Sequence, residues 1–414
     1  MSVDRYIHIP EMESVAEKVP YITPDRIARK LSVEVMKRMP DEMIRKGIIP
    51  TQEVKGIIID LQKDSSQSTA WDIVFDHTFP VKDRIFLLAN KRAHPDMWMR
   101  DFVYTSEFTD STELDNNILK TFEDRQKSNG QIPTAVGVWG STPWHFADDE
   151  STLHYLISAA NLVKKDGDKL TPLRRHKIKA AFSFVQKHVS DGMYVSPPGE
   201  RRGWLDAFVY PKSDVVTQNQ GFYAVSLLAA QGLGLPVEKG EVRTAIDLYK
   251  AMADFHGYLP LSARFNEAPD ISTLCPEYFA MTRFGEQLLS DDVVRATLDA
   301  TPKSNHGYKV LTTSPRGDYF DPNFFVTGYE KGNYQNGGAW PFWNNNALAV
   351  GELHGIVPPT AYRDSVMQQL DQTGWPEYIR TGGEFEQILT PERPRQVWNV
   401  GIPAQQRNLD RITA

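Results

Sequence analysis

The stretch Gln220-Gly221-Phe222-Tyr223-Ala224-Val225-Ser226-Leu227-Leu228-Ala229-Ala230 decides the fold. It reads as a helix that is apolar nearly all round, and such a helix is stable only when protein encloses it. Gly232-Leu233-Gly234 marks its end. The next helical segment, Val242–Phe255, differs in kind: it has a clear charged face and belongs at the surface. The same contrast recurs along the chain. Ala347–Leu353 is apolar nearly all round, whereas Leu173–Val189 carries a charged face beside its stripe of Ile178, Ala181, Phe182 and Val185.

Apolar spacing places further helices at Ser111–Gln126, Ser151–Lys164, Glu277–Leu289, Asp291–Ala300, Ala339–His354 and Thr360–Gln372. The series comes to about ten to twelve helices with almost no strand signal between them. Alternating enclosed and surface helices predict an all-α fold, an (α/α)6 barrel or six-hairpin toroid, over residues 80–414. Residues 1–79 read as a small N-terminal extension or packing module. That module should hold one helix at Pro24–Met39 and short strands at Lys55–Asp60 and Trp71–Phe75. No repeat of fixed period is visible, which excludes a solenoid.

Composition narrows the function. The 414 residues carry a net charge of −7, which disfavours a nucleic-acid partner. Cys275 is the single cysteine, so an internal disulfide and a Cys-rich metal site are both excluded. No apolar run approaches the roughly 20 residues needed to span a membrane. The N-terminus is charged and interrupted by proline, unlike a secretory signal, and a cytoplasmic location is the expectation. No His spacing suggests a metal, and no Gly-rich phosphate cradle suggests a nucleotide, so no cofactor is expected. The sequence leaves the oligomeric state open.

The residues suited to chemistry fall between helices, where a helical toroid gathers its loops at one mouth. Trp98-Met99-Arg100-Asp101-Phe102 reads as a loop whose Arg100 and Asp101 can grip hydroxyls beside Trp98. Gly130-Gln131-Ile132-Pro133 leads to Trp144 and to Asp149, at the acidic start of a helix. Gln218, Asn219 and Gln220 offer amide donors and acceptors. Tyr334, Gln335, Asn336 and Trp340 lie in a loop rich in glycine and aromatic residues. Two further motifs each set a carboxylate beside an indole: Gly203-Trp204-Leu205-Asp206-Ala207 and Gly374-Trp375-Pro376-Glu377-Tyr378, the latter followed by Gln396-Val397-Trp398-Asn399. An apolar plate for a sugar ring together with two carboxyl groups is the minimal machinery for cutting a glycosidic bond.

Taken in order, these segments resemble the signature of inverting glycoside hydrolases with an (α/α)6 barrel. They are most similar to neutral/alkaline invertases and the glucosidase domain of glycogen-debranching enzymes. The likeness covers about residues 85–400. It implies that Asp206 is the general acid and Glu377 the general base. It also implies that Arg100, Asp101, Asp149, Asn219, Asn336 and Trp340 touch the sugar, joined by Trp98, Trp144, Trp204, Gln220, Tyr334, Gln335, Trp375 and Tyr378. Two positions depart from the family pattern. Gln335 stands where relatives have His, and Thr217 stands where relatives have Glu. The substrate implied is a small α-linked glucoside, sucrose or a related sugar. A sugar epimerase, a sugar phosphorylase and a catalytically degenerate carbohydrate-binding protein are the competing expectations.

Overall fold

The computed structural model describes residues 53–54, 56–58, 60, 68–81, 83–89, 96–138, 150–167, 170–196, 201–202, 205–209, 214–264, 269–304, 307–308, 339–376 and 395–413, with only the backbone at 201–202, 205–209, 304 and 413. The predicted helix Pro24–Met39 lies outside these residues.

The described chain is mostly helical. Its helices are α1 (Thr69–His77), α2 (Met99–Thr109), α3 (Thr112–Glu123), α4 (Glu150–Asp166), α5 (Pro172–Gln186) and α6 (Thr217–Gly232). They continue as α7 (Lys239–Ala251), α8 (Cys275–Phe279), α9 (Asp291–Ala300), α10 (Pro341–Leu353), α11 (Arg363–Thr373) and α12 (Gly401–Thr413). A 3-10 turn at Ile271–Leu274 leads into α8 and a π turn at Ala280–Phe284 prolongs it. Another 3-10 turn, Val397–Val400, leads into α12.

The even-numbered helices form a closed cycle of contacts: α2 packs on α4, α4 on α6, α6 on α8, α8 on α10, α10 on α12, and α12 back on α2. The odd-numbered helices pack against this cycle. Of these, α3 and α5 lie on α4, α7 on α6, α9 and α11 on α10, and α1 on the Val397–Val400 turn. Burial separates the two sets. Ten of the eleven residues of α2 are buried, but only four of the thirteen in α7, namely Val242, Ala245, Ile246 and Tyr249. The expected enclosure of Phe222–Ala230 and Ala347–Leu353, and the surface position of the charged helices, are both observed.

Close packing of the inner cycle explains a glycine inside α6. A Cβ on Gly221 would stand 2.6 Å from Pro276 Cγ and 2.9 Å from Tyr249 Cε2, so only glycine lets α6 approach α8 this closely. Ion pairs tie helices within each layer. Arg174 Nε reaches Glu123 Oε1 at 2.6 Å, and Arg283 Nε reaches Glu107 Oε1 at 2.9 Å. His354, just past α10, spans two carboxylates: its Nε2 lies 2.9 Å from Glu277 Oε1 and its Nδ1 lies 2.8 Å from Asp291 Oδ1. This clamp joins α8, α9 and α10.

Several expectations change. Lys55–Asp60 and Trp71–Phe75 are not strands: the described residues of both stretches are helical. In α1, Ser68 caps the start by accepting from the Trp71 N–H, and Ala70, Ile73, Val74 and His77 form the buried stripe of a helix. Trp98–Phe102 is not a loop, because α2 begins at Met99. The helix expected at Glu277–Leu289 ends at Gly285, whose φ of +70° stops it, and Leu288 and Leu289 instead donate their N–H groups to Glu277 Oε2. Among the described residues, strands are present as five two-stranded antiparallel sheets. Three are used below: β1 (Asp96–Trp98), β2 (Ala135–Gly137) and β3 (Leu205–Val209). Among the described residues, no helix is long and apolar enough to cross a membrane.

Candidate active site

The inner helices begin beside one another. β1 pairs with β2, Trp98 opposite Ala135, and the Met99 N–H donates to Thr134 O at 3.0 Å. The Ile132 N–H donates to Thr152 Oγ1 at 3.1 Å, which fastens the Gly130–Pro133 segment to the first turn of α4. That segment turns at Gly130, with φ +100°, where a Cβ would lie 2.0 Å from Ala180 O. Arg100 and Asp101 are thereby set in the first turn of α2, both buried.

Arg100 Nη1 lies 3.2 Å from Glu150 Oε1, the first residue of α4, and Glu150 is wholly enclosed. The Arg100 guanidinium also stands 5.9 Å from the centre of the Trp98 ring. One turn along α4 is His154, fully buried, with neither ring nitrogen hydrogen-bonded. Burial pushes its pKa well below the usual histidine value, and the charges of Arg100 and Arg283 push it the same way. His154 is therefore a neutral imidazole with one donor and one acceptor to spare.

The first turn of α6 is Thr217-Gln218-Asn219-Gln220, all buried. Gln218 Nε2 donates to Ser272 O at 3.1 Å, joining α6 to the turn before α8, while its Oε1 accepts from no group. Gln220 behaves otherwise. Its Oε1 accepts from the Tyr194 N–H at 2.8 Å and its Nε2 donates to Ala245 O at 3.1 Å, so both ends of the amide are committed to backbone. It bridges Tyr194 and α7.

Beneath this polar rim lies an aromatic cluster centred on Tyr104. Its ring centroid stands 6.0 Å from His154, 5.8 Å from Phe279, 4.3 Å from Phe342, 5.7 Å from Trp343 and 6.4 Å from Trp398. Phe222 closes the set, 4.5 Å from His154 and 5.9 Å from Phe279. Each of the five inner helices α2 to α10, and the turn preceding α12, thus supplies at least one ring. Trp340, at the start of α10, meets Trp398 edge-on at 5.5 Å. Trp375 is only 2% exposed and its indole donates to Asp371 Oδ1 at 3.1 Å, so its ring packs in the core.

Of the residues singled out in the sequence, Trp98, Arg100, Asp101, Asn219 and Trp340 occupy or flank the first turns of inner helices. Trp144, Asp149, Trp204, Tyr334, Gln335, Asn336, Glu377 and Tyr378 lie outside the described residues. Asp206 lies in β3, known by its backbone alone. Sequence reasoning missed Glu150, His154 and Asn399. In sequence Glu150 is one acid among several at a helix start, and its enclosure beside Arg100 appears only in the fold. Among the described residues, no group of three or more His, Cys, Asp or Glu is placed to hold a metal ion.

No family model matches the chain, and no curated protein matches it in sequence. Solved structures do match. A single-residue variant of a glycosidase superposes with a TM-score of 0.57 at 13% identity, covering 86% of this chain and 98% of its own. Another variant of a glycosidase, in complex with glucose, gives 0.56 at 13% identity over the same shares, 86% and 98%. The GH63 mannosylglycerate hydrolase from Thermus thermophilus, in complex with glucose, gives 0.53 at 15% identity, covering 82% of this chain and 99% of its own. At these identities the likeness is one of fold.

Proposed function

We propose that the chain is an inverting glycoside hydrolase acting on a small α-linked glucoside such as sucrose. In this reading residues 80–414 form an (α/α)6 barrel, and residues 1–79 form a module packed on it. The observation that carries the proposal is the rim of buried polar side chains at the starts of the inner helices. Arg100 and Asp101 start α2, Glu150 starts α4, Gln218 and Asn219 start α6, and one turn further along each helix lies a ring of the aromatic cluster. Neutral sugars need that combination, with directional hydrogen bonds around the ring and apolar surface beneath it. Neighbours of the same fold that hold glucose support the reading.

Asp206, kept protonated, would give its proton to the leaving oxygen. Glu377, ionised, would draw a proton from the water attacking the opposite face of the anomeric carbon. Inversion requires about 6.5–9.5 Å between the two carboxyl groups so that this water fits, whereas about 5–5.5 Å would give retention. Arg100, held by Glu150 and Trp98, would present N–H donors to hydroxyls. The test is a panel of α-linked disaccharides followed by proton NMR of the product anomer. Hydrolysis with inversion is expected, and Asp206→Asn and Glu377→Gln should each lower kcat by about 10²–10⁴. Near-native turnover in both variants would sink the assignment.

His154 gives specific support to a second reading, a sugar epimerase or isomerase, because a neutral, unpartnered imidazole can shuttle a proton to carbon. Incubation of free sugars with the protein in heavy water separates the two. Deuterium entering a C–H position without bond cleavage would favour the epimerase.

A further inference from the structure

We propose that Asp270 and Gln218 form a hydroxyl-binding subsite: two acceptors, anchored on Ser272, that take hydrogen bonds from neighbouring hydroxyls of the glucoside's pyranose ring. This inference deepens the hydrolase reading and rests on it.

Asp270 caps the 3-10 turn Ile271–Leu274, which leads into α8 and packs against both α6 and α10. Three ties fix that turn to the first turn of α6. Gln218 Nε2 donates to Ser272 O at 3.1 Å. The Thr217 N–H donates to Leu261 O at 3.1 Å. Pro260, next to Leu261, bridges Pro269, the residue before Asp270. The approach to α8 therefore begins at the same end of the inner cycle as α6, and Asp270 adds a carboxyl group to the polar starts of α2, α4 and α6.

Asp270 has one oxygen more than its cap uses. Its Oδ1 accepts from the Ser272 N–H at 2.8 Å, and its backbone O accepts from the Thr273 N–H at 3.1 Å. Serine or asparagine would cap the turn as well. Oδ2 is left over: the residue is wholly buried, and this oxygen accepts from no group. Gln218 repeats the pattern. Its Nε2 is committed to the Ser272 carbonyl, while its buried Oε1 accepts from no group. Ser272 thus anchors a carboxyl group by its N–H and an amide by its carbonyl, and each anchored group keeps one open acceptor. Burial pushes the Asp270 pKa up to about 6, which still leaves the group mainly ionised, and acceptor-only, at neutral pH. A buried acceptor without a donor costs free energy. The ligand that relieves both must bring two donors and no negative charge to this point. Neighbouring sugar hydroxyls meet that requirement, and a phosphate or carboxylate does not.

The experiment is calorimetric titration of the full chain with glucose and with its 2-deoxy, 3-deoxy, 4-deoxy and 6-deoxy forms. Native protein is compared with Asp270→Ser, which keeps a cap and loses the second oxygen, and with Gln218→Met. One deoxy form should bind the native protein about 10- to 100-fold more weakly than glucose, and Asp270→Ser should shrink that penalty to within about twofold. Gln218→Met should do the same at a neighbouring position, with the remaining penalties kept. If the serine variant fails to fold, the nearly isosteric Asp270→Asn carries the series, since it too keeps the cap and gives up the open acceptor. Two results overturn the proposal: penalties that depend on neither residue or on only one of them, as a trapped water would give, or no binding of glucose by the native chain. Hydrolysis is scored separately on the disaccharide panel. Hydrolysis without these dependences sinks the subsite alone, and the dependences without hydrolysis sink the hydrolase reading and leave a sugar-binding subsite.

Discussion

Four of the six outer helices begin differently from the inner ones; the other two, α7 and α11, start without a side-chain cap. Outer helices α1, α3, α5 and α9 start at Ser68, Ser111, Thr171 and Ser290, each of which accepts a backbone N–H from the first turn. Inner helices α2, α6 and α10 start at Trp98, Val216 and Trp340, and none of the three makes a side-chain cap. A cap satisfies a helix end locally and closes it to anything else. The inner ends give up that local stabilisation and carry Arg100, Asp101, Gln218 and Asn219 instead. Capped outer starts serve stability, and the uncapped starts of α2, α6 and α10 carry polar or aromatic side chains instead.

That division can be broken experimentally, most severely at the inner ring. Glu150→Ala removes a buried carboxylate from beside the Arg100 charge, and denaturant unfolding should show a loss of about 3–5 kcal/mol together with loss of any hydrolysis. Gly221→Ala pushes a methyl group toward Pro276 and should cost about 1–3 kcal/mol by the same measurement. In the outer layer, Ser290→Ala removes a cap and should cost about 1 kcal/mol, with kcat and KM unchanged. A fall in kcat there would erase the distinction between the two layers.

The smallest expected effect is a slope in pH. Burial alone would lower the pKa of His354, but its bonds to Glu277 and Asp291 outweigh burial and raise it above the usual value. The folded state therefore favours the protonated ring. The stabilisation is fully present below the unfolded histidine pKa of about 6.5. It is lost as pH climbs through the raised folded value. Tm should decline over that interval in the native protein and decline less in His354→Gln.

How much the sequence disclosed follows the same division. Asp291–Ala300 has the predicted bounds, because Ser290, two acids in the first turn and a clear stripe all act locally. α2 was hidden because polar Arg100, Asp101, Thr105 and Ser106 are buried alongside its apolar residues, which leaves no periodic face to read. α12 was hidden behind Gly401 and Pro403, which resemble a loop, although proline is tolerated in a first turn where its missing N–H would be unpaired anyway. In the site, Arg100, Asp101 and Asn219 were legible from residue type. Glu150 and Asn399 were not, because each is defined by a partner on a distant segment: Arg100 for one, the carbonyls of Trp375 and Pro376 for the other.

The rings packed around Tyr104 have a mechanical consequence. Because α2, α4, α6, α8, α10 and the turn before α12 each commit a ring to one cluster, no inner helix can shift without disturbing the packing of the others.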